Sequence, residues 1–128
     1  MRRMAARLGN AKTILLVEDH ADTANVFARM LRRDGFDVTI APTAGSAAEL
    51  CQQRSFDLLI CDLQLPDGLG SQVLDTARSR APTTKAIVVS GHDSPTQLAE
   101  ARQLGFEDYF LKPIDYPTLR EAIARILG

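Results

Sequence analysis

At 128 residues the chain has the size of one domain, large enough to bury roughly two-thirds of the surface its unfolded form exposes. Apolar residues make up 45% and charged residues 24%, as in ordinary globular domains, and the formal net charge of −1 gives no bulk electrostatic reason to expect nucleic-acid binding. The longest apolar runs are four or five residues, far short of a membrane span, and the basic N-terminus MRRMAARLGNAK lacks the apolar segment of a secretory signal. Cys51 and Cys61 have no metal-ligand spacing and read as buried free thiols of a reducing compartment. A cytoplasmic domain without a membrane segment is expected.

Met1, Met4, Ala5 and Leu8 have helical spacing, so residues 1–11 read equally as a tail or a short helix, and residues 12–128 as the domain. Thr13–Val17 is the first of five short apolar runs, each too short for a helix. Val26, Phe27, Met30 and Leu31 then fall on one helical face, stopped by Gly35, before the second run, Asp37–Ile40. The segment 43–54, with Thr43 as a cap, precedes the third run, Asp57–Cys61. The segment 71–80, with Ser71 as a cap, precedes the fourth, Ala86–Val89. Ser94-Pro95-Thr96-Gln97 spells a capping box with proline at the first helical position, leading into Leu98, Ala101 and Leu104 and closed by Gly105. The fifth run is Tyr109–Leu111, and Leu119, Ala122, Ile123 and Ile126 stripe a last helix.

Strand and helix alternating five times predict an α/β, doubly wound, five-stranded parallel sheet with helices on both faces. The first, third and fourth runs are apolar at successive positions, as central parallel strands are. In such sheets ligands bind beyond the carboxyl ends of the strands, near the point where strand order reverses. The first run ends in Glu18-Asp19 and the third in Asp62. If those strands are neighbours, three carboxylates converge on one crevice, where their repulsion is most naturally relieved by a hard divalent cation such as Mg²⁺. The fourth run delivers Ser90-Gly91-His92 and the fifth Lys112-Pro113 to the same edge.

Taken in order, Ile14-Leu15-Leu16-Val17-Glu18-Asp19, Asp62 with Pro66-Asp67-Gly68, Ser90-Gly91 and Lys112-Pro113 resemble a response-regulator receiver domain, the phosphoacceptor module of two-component signalling. The resemblance runs from about Lys12 to Leu127 and implies a flavodoxin-like sheet of strand order 2-1-3-4-5. It also implies the roles. Asp62 matches the phosphoacceptor. Glu18, Asp19, Asp62 and the backbone carbonyl of Gln64 match the Mg²⁺ (or Mn²⁺) shell, Asp19 as a direct ligand and Glu18 through water. Lys112 matches the lysine that pairs with the carboxylate and then the phosphate, and its bond to Pro113 matches a peptide that is cis in the family. Ser90 matches the hydroxyl that contacts the phosphoryl group, and with Tyr109 it matches the switch pair. Gln64 and His92 stand where the family tunes phosphoryl lifetime.

The implied activity is Mg²⁺-dependent uptake of a phosphoryl group from a histidine kinase or a histidine phosphotransfer protein, followed by slow self-dephosphorylation, rather than conventional enzymatic turnover. The implied output is an unknown downstream protein partner on the face of the fourth helix, fifth strand and fifth helix, with no direct contact to nucleic acid or membrane. With no output domain after Leu127 in this sequence, three contexts are expected to fit: a stand-alone regulator, the receiver portion of a hybrid histidine kinase, or that of a longer regulator.

Competing readings are weaker. An aspartyl phosphatase of the haloacid-dehalogenase type carries a second acid two residues past its nucleophile, where this chain has Gln64, and Gly68-Leu69-Gly70 lacks the rest of a P-loop or dinucleotide fingerprint. A degenerate receiver acting only in docking would have lost an acid, the acceptor or the lysine, and none is missing. His92 lies in a loop, whereas a relay histidine sits on a helix, and Cys61 points into the core by alternation. Asp67-Gly68 reads as the turn after the acceptor strand.

Overall fold

Three strands built around consecutive apolar residues, Thr13–Val17 (β1), Leu58–Cys61 (β3) and Lys85–Ser90 (β4), form the middle of a five-stranded parallel sheet. Asp37–Ala41 (β2) and Asp108–Leu111 (β5) form its edges, giving the order β2-β1-β3-β4-β5. The structure is a computed structural model that describes residues 11–91 and 96–128. The helices are Ala21–Arg33 (α1), Ala44–Gln53 (α2), Gly70–Arg80 (α3), Gln97–Gln103 (α4) and Tyr116–Leu127 (α5). A small antiparallel ribbon, Gln64–Leu65 against Gly68–Leu69, follows β3.

Both faces of the central strands are covered, so alternate side chains enter two cores. Ile14, Leu16, Leu58, Ile60 and Ile87 pack under α1 and α5. Leu15, Val17, Leu59, Cys61 and Val88 pack under α2, α3 and α4. Register is parallel throughout, with Leu16 beside Ile60 and Cys61 beside Val88. The five strands therefore end together along one sheet edge, which is what positions the site. At the opposite edge Asp57 is spent on structure, its carboxylate accepting from the Thr13 amide (2.8 Å) and hydroxyl (3.1 Å).

The expected elements are all present, with strand ends moved by one residue. Two apolar stripes differ. On α1 the buried face is Ala24, Ala28 and Leu31, while Val26 and Met30 are exposed. On α4 Ala101 is buried and Leu98 and Leu104 are exposed. In both helices alanine lies against the core, and the larger residues flank that line. α5 buries Leu119, Ala122 and Ile123 as its stripe predicts, with Ile126 half-buried.

Helix boundaries follow local chemistry. Thr43 caps α2, its hydroxyl accepting from the Ser46 amide at 3.0 Å while Ser46 Oγ accepts from the Thr43 amide at 3.2 Å. Gly35 and Gly105, with φ of 96° and 102°, follow α1 and α4 in the left-handed region that a side chain disfavours. Ser71 is not the cap of α3. That helix starts at Gly70, with Gln72 Oε1 accepting from the Leu69 amide at 3.2 Å. Gly70 fits this start closely: a Cβ there would overlap the Asp62 carbonyl oxygen and stand 2.9 Å from Cys61 Sγ. The reading of residues 1–11 as tail or helix falls, but for Ala11, outside the described residues, as do Ser94 and Pro95 of the expected capping box. Among the described residues no helix is long and apolar enough to cross a membrane.

Candidate functional site

Glu18 follows β1, and its amide donates to the Ala41 carbonyl (3.0 Å), so the strand-end backbone is fixed by β2. Asp62 follows β3, and its Oδ1 accepts from the Gln64 amide at 3.3 Å. Ser90 closes β4 with its side chain buried, and its carbonyl accepts from the Lys112 amide at 2.7 Å. That bond ties the end of β4 to the residue that leaves β5. The Lys112–Pro113 peptide bond is cis.

Lys112 Nζ lies 3.1 Å from Glu18 Oε1 and 4.0 Å from Asp62 Oδ2. One ammonium thus neutralises two carboxylates drawn from different strands. Glu18 is 10% exposed, Asp62 18% and Lys112 37%, so the acids sit below the surface and the lysine covers them. The remaining oxygen of Glu18 accepts from the His20 amide at 3.0 Å. His20 itself caps α1, its Nδ1 accepting from the Thr23 amide.

The expected three-acid cluster is not assembled. Asp19 is exposed, and among the described residues no three His, Cys, Asp or Glu side chains gather closely enough to hold a metal. Lys112 stands beside Glu18 and Asp62. The donors on this edge are nonetheless all hard oxygens, from Glu18, Asp19, Asp62 and the Gln64 carbonyl. That set suits Mg²⁺ or Mn²⁺ in kind and offers no nitrogen or sulfur ligand.

Cys61 borders Asp62 but lies in the core, where burial, and then the neighbouring Asp62 charge, push its thiol well above the ordinary range. It is not a nucleophile at neutral pH. A cavity of about 320 Å³ opens between α1 and α5, lined by Phe27, Ile60, Val89, Ile114 and Leu119, with Glu18 and Lys112 in its wall. Among the described residues, a Cβ at Gly91 would meet nothing within 4 Å.

Two residues have roles that sequence reasoning did not assign. Asp67 does more than turn the chain. Its two carboxylate oxygens accept from the Ala44 (2.8 Å) and Gly45 (3.0 Å) amides, the first of α2, and these donors hold its carboxyl below the usual range. Gln97, the first residue of α4, accepts the hydroxyl of Tyr109 on β5, so that hydroxyl is bonded to protein. An acid directly after a proline hints at a turn, but nothing local shows which distant helix it caps. His92 falls outside the described residues.

A model of the response regulator receiver domain matches residues 14–124. Among curated proteins, the alginate biosynthesis transcriptional regulatory protein AlgB of Pseudomonas syringae pv. tomato is 35% identical over 97% of this chain. The chain spans only 28% of that relative's length. A CheY-like response regulator receiver domain protein from Methanospirillum hungatei superposes with a TM-score of 0.84 at 31% identity, covering 91% of this chain and 94% of the other. A response regulator protein from Burkholderia pseudomallei, whose crystal structure holds a phosphorylated aspartic acid, a calcium ion and citrate, gives a TM-score of 0.79 at 25% identity, covering 87% and 65%.

Proposed function

This chain belongs to the response-regulator receiver domain family, and from that premise we propose that Asp62 is its phosphoacceptor, taking a phosphoryl group from a phosphohistidine of a histidine kinase or phosphotransfer protein. The observation that carries the proposal is one carboxylate, Asp62, held at the carboxyl edge of a parallel sheet beside the buried Ser90 and sharing Lys112 with Glu18. The phosphorylated aspartic acid in the Burkholderia pseudomallei relative supports the same chemistry.

In the proposed reaction an Asp62 oxygen attacks phosphorus. The new P–O bond forms as the P–N bond to the imidazole breaks, and the imidazole leaves with that electron pair. Phosphoryl transfer asks little covalent work of the protein beyond alignment and charge neutralisation. Lys112 is within reach of the acceptor and supplies one positive charge. Glu18, Asp19, Asp62 and the Gln64 carbonyl would hold Mg²⁺ or Mn²⁺, which when bound supplies the second neutralising charge. Ser90 offers a hydroxyl to the arriving phosphoryl oxygens, and Gly91 has no side chain to block the donor. The readout we assign to the Ser90–Tyr109 pair and the face of α4, β5 and α5, where Leu98, Leu104 and Leu111 are exposed to a protein partner.

Intact-mass spectrometry after incubation with acetyl phosphate, or with a phosphorylated kinase, tests the assignment. Wild type should gain one phosphoryl group only when Mg²⁺ or Mn²⁺ is present, and Asp62→Asn should gain none. Equal labelling of the two proteins would remove Asp62 from the role.

A further inference from the structure

The geometry points to Gln97 as the positioning residue of the proposed switch: its side-chain oxygen holds the Tyr109 hydroxyl and so ties the first turn of α4 to the orientation of a ring on β5. The inference rests on the reading of Tyr109 as a switch residue, and adds to it the element that the ring moves.

The bond joins a short helix to an edge strand on which it already packs. α4 has seven residues and buries only Ala101, while Leu98 and Leu104 face outward. Helices this short are marginal on their own and depend on tertiary contacts. At its C-terminal end α4 is anchored, with Gly105 in the left-handed region, the Phe106 amide donating to the Ala101 carbonyl (3.0 Å) and Phe106 buried in the core. Gln97 stands at the opposite end. Tyr109 packs half-buried against the same core cluster that receives Ala101. The ring and the helix therefore share a base, and the Tyr109–Gln97 bond links their outer ends. If the ring rotates toward Ser90, its hydroxyl leaves Gln97 and the first turn of α4 loses that tie. A movement of one side chain on the strand becomes a movement of backbone on the exposed face.

The test is a double-mutant cycle read by amide resonances during titration with fluoroberyllate in the presence of Mg²⁺. Gln97→Ala removes stabilisation from the conformation described here. Its amides at 97–103 should respond at a fluoroberyllate concentration about 3- to 10-fold lower than in wild type, the range of one net hydrogen bond. Tyr109→Phe, which removes only the hydroxyl, should give a similar shift, and the double variant no more than either alone. Gln97→Glu keeps an acceptor oxygen and should restore the wild-type midpoint, but not when combined with Tyr109→Phe. Additive effects, or an unchanged midpoint in Gln97→Ala, would overturn the inference. A bound-fluoride resonance distinguishes the two failures: without one in wild type, the phosphoacceptor reading fails. The cycle is then read in the free protein from amide exchange of α4, where equal acceleration in both single variants is expected and no acceleration counts against the latch.

Discussion

Lys112 Nζ stands 3.1 Å from Glu18, nearer than to Asp62 at 4.0 Å. The ammonium therefore relieves the charge of two acids that would otherwise face each other across the crevice, and the exposed Asp19 has no share in that pair. Lys112→Ala should destabilise the metal-free protein by about 1 kcal/mol, a modest figure because the lysine is partly solvated. Asp19→Asn should change stability by less than ~0.5 kcal/mol while abolishing Mg²⁺ affinity. Urea melts with chelator, and Mg²⁺ titrations followed by amide shifts, check both. A Lys112→Ala protein as stable as wild type would mean that the two acids avoid each other unaided.

Two glycines near the acceptor should behave oppositely. Gly70 packs on the Asp62 carbonyl and on Cys61 Sγ, so Gly70→Ala forces apart the start of α3 and the residue that carries the acceptor. The expected cost is about 2–3 kcal/mol, typical of overpacking against backbone. Among the described residues nothing stands within 4 Å of where a Cβ at Gly91 would go, and Gly91→Ala should stay within ~0.5 kcal/mol of wild type. Denaturant midpoints decide it, and a neutral Gly70→Ala would show that α3 can slide without cost.

Asp67 should contribute to the acid limb of stability. The Gly45 and Ala44 amides hold its carboxyl below the usual range in the folded state. Its contribution is thus fully present above the unfolded-state value of about 3.9 and is lost as pH falls through the lower folded value. The stability difference between wild type and Asp67→Asn should be constant near neutrality and shrink as the solution is acidified below about pH 4. Asp115, lowered by its bonds to Thr118, titrates in both proteins and cancels from the comparison. A difference independent of pH would mean that the asparagine oxygen alone reproduces the cap.

The sheet was legible because central parallel strands betray themselves: Ile14-Leu15-Leu16-Val17 and Leu58-Leu59-Ile60-Cys61 can be apolar at every position only if both faces are covered. Strand ends then placed Glu18, Asp62, Ser90 and Lys112 on one edge without any knowledge of side-chain direction. What the sequence hid was distance and depth. Hydrophobic spacing put Val26 and Met30 inward, whereas a helix lying close to a sheet presents alanine, here Ala24 and Ala28, and leaves bulk at the margins. Nor does spacing reveal that Lys112 prefers Glu18, that Asp67 reaches back to α2, or that Gln97 meets Tyr109. Those pairings join residues 94, 23 and 12 positions apart, and each depends on the final packing of two elements.

Tyr116 fastens the two helices on the other face of the sheet. Its hydroxyl donates to Asp34 Oδ2 at 2.6 Å, joining the first residue of α5 to the residue that ends α1, and its ring tilts against Phe27 with centroids 6.5 Å apart. Tyr116→Phe keeps the ring contact and loses the bond, so it should cost about 1 kcal/mol, at the low end for a carboxylate acceptor because the pair is only partly buried. Burial, and then the bond to Asp34, push the phenol well above its ordinary value. A raised folded-state value means that the neutral, proton-bearing form is favoured on folding. The stabilisation is complete below the unfolded-state value of about 10 and is lost as pH rises through the folded one. The gap in stability between wild type and Tyr116→Phe should hold steady across neutral pH and close only in strong alkali. Equal stability of the two proteins at pH 7 would show that water replaces the bond without loss, leaving α1 and α5 joined by the ring contact with Phe27 and by the packing of residues such as Leu31, Leu119 and Ile123.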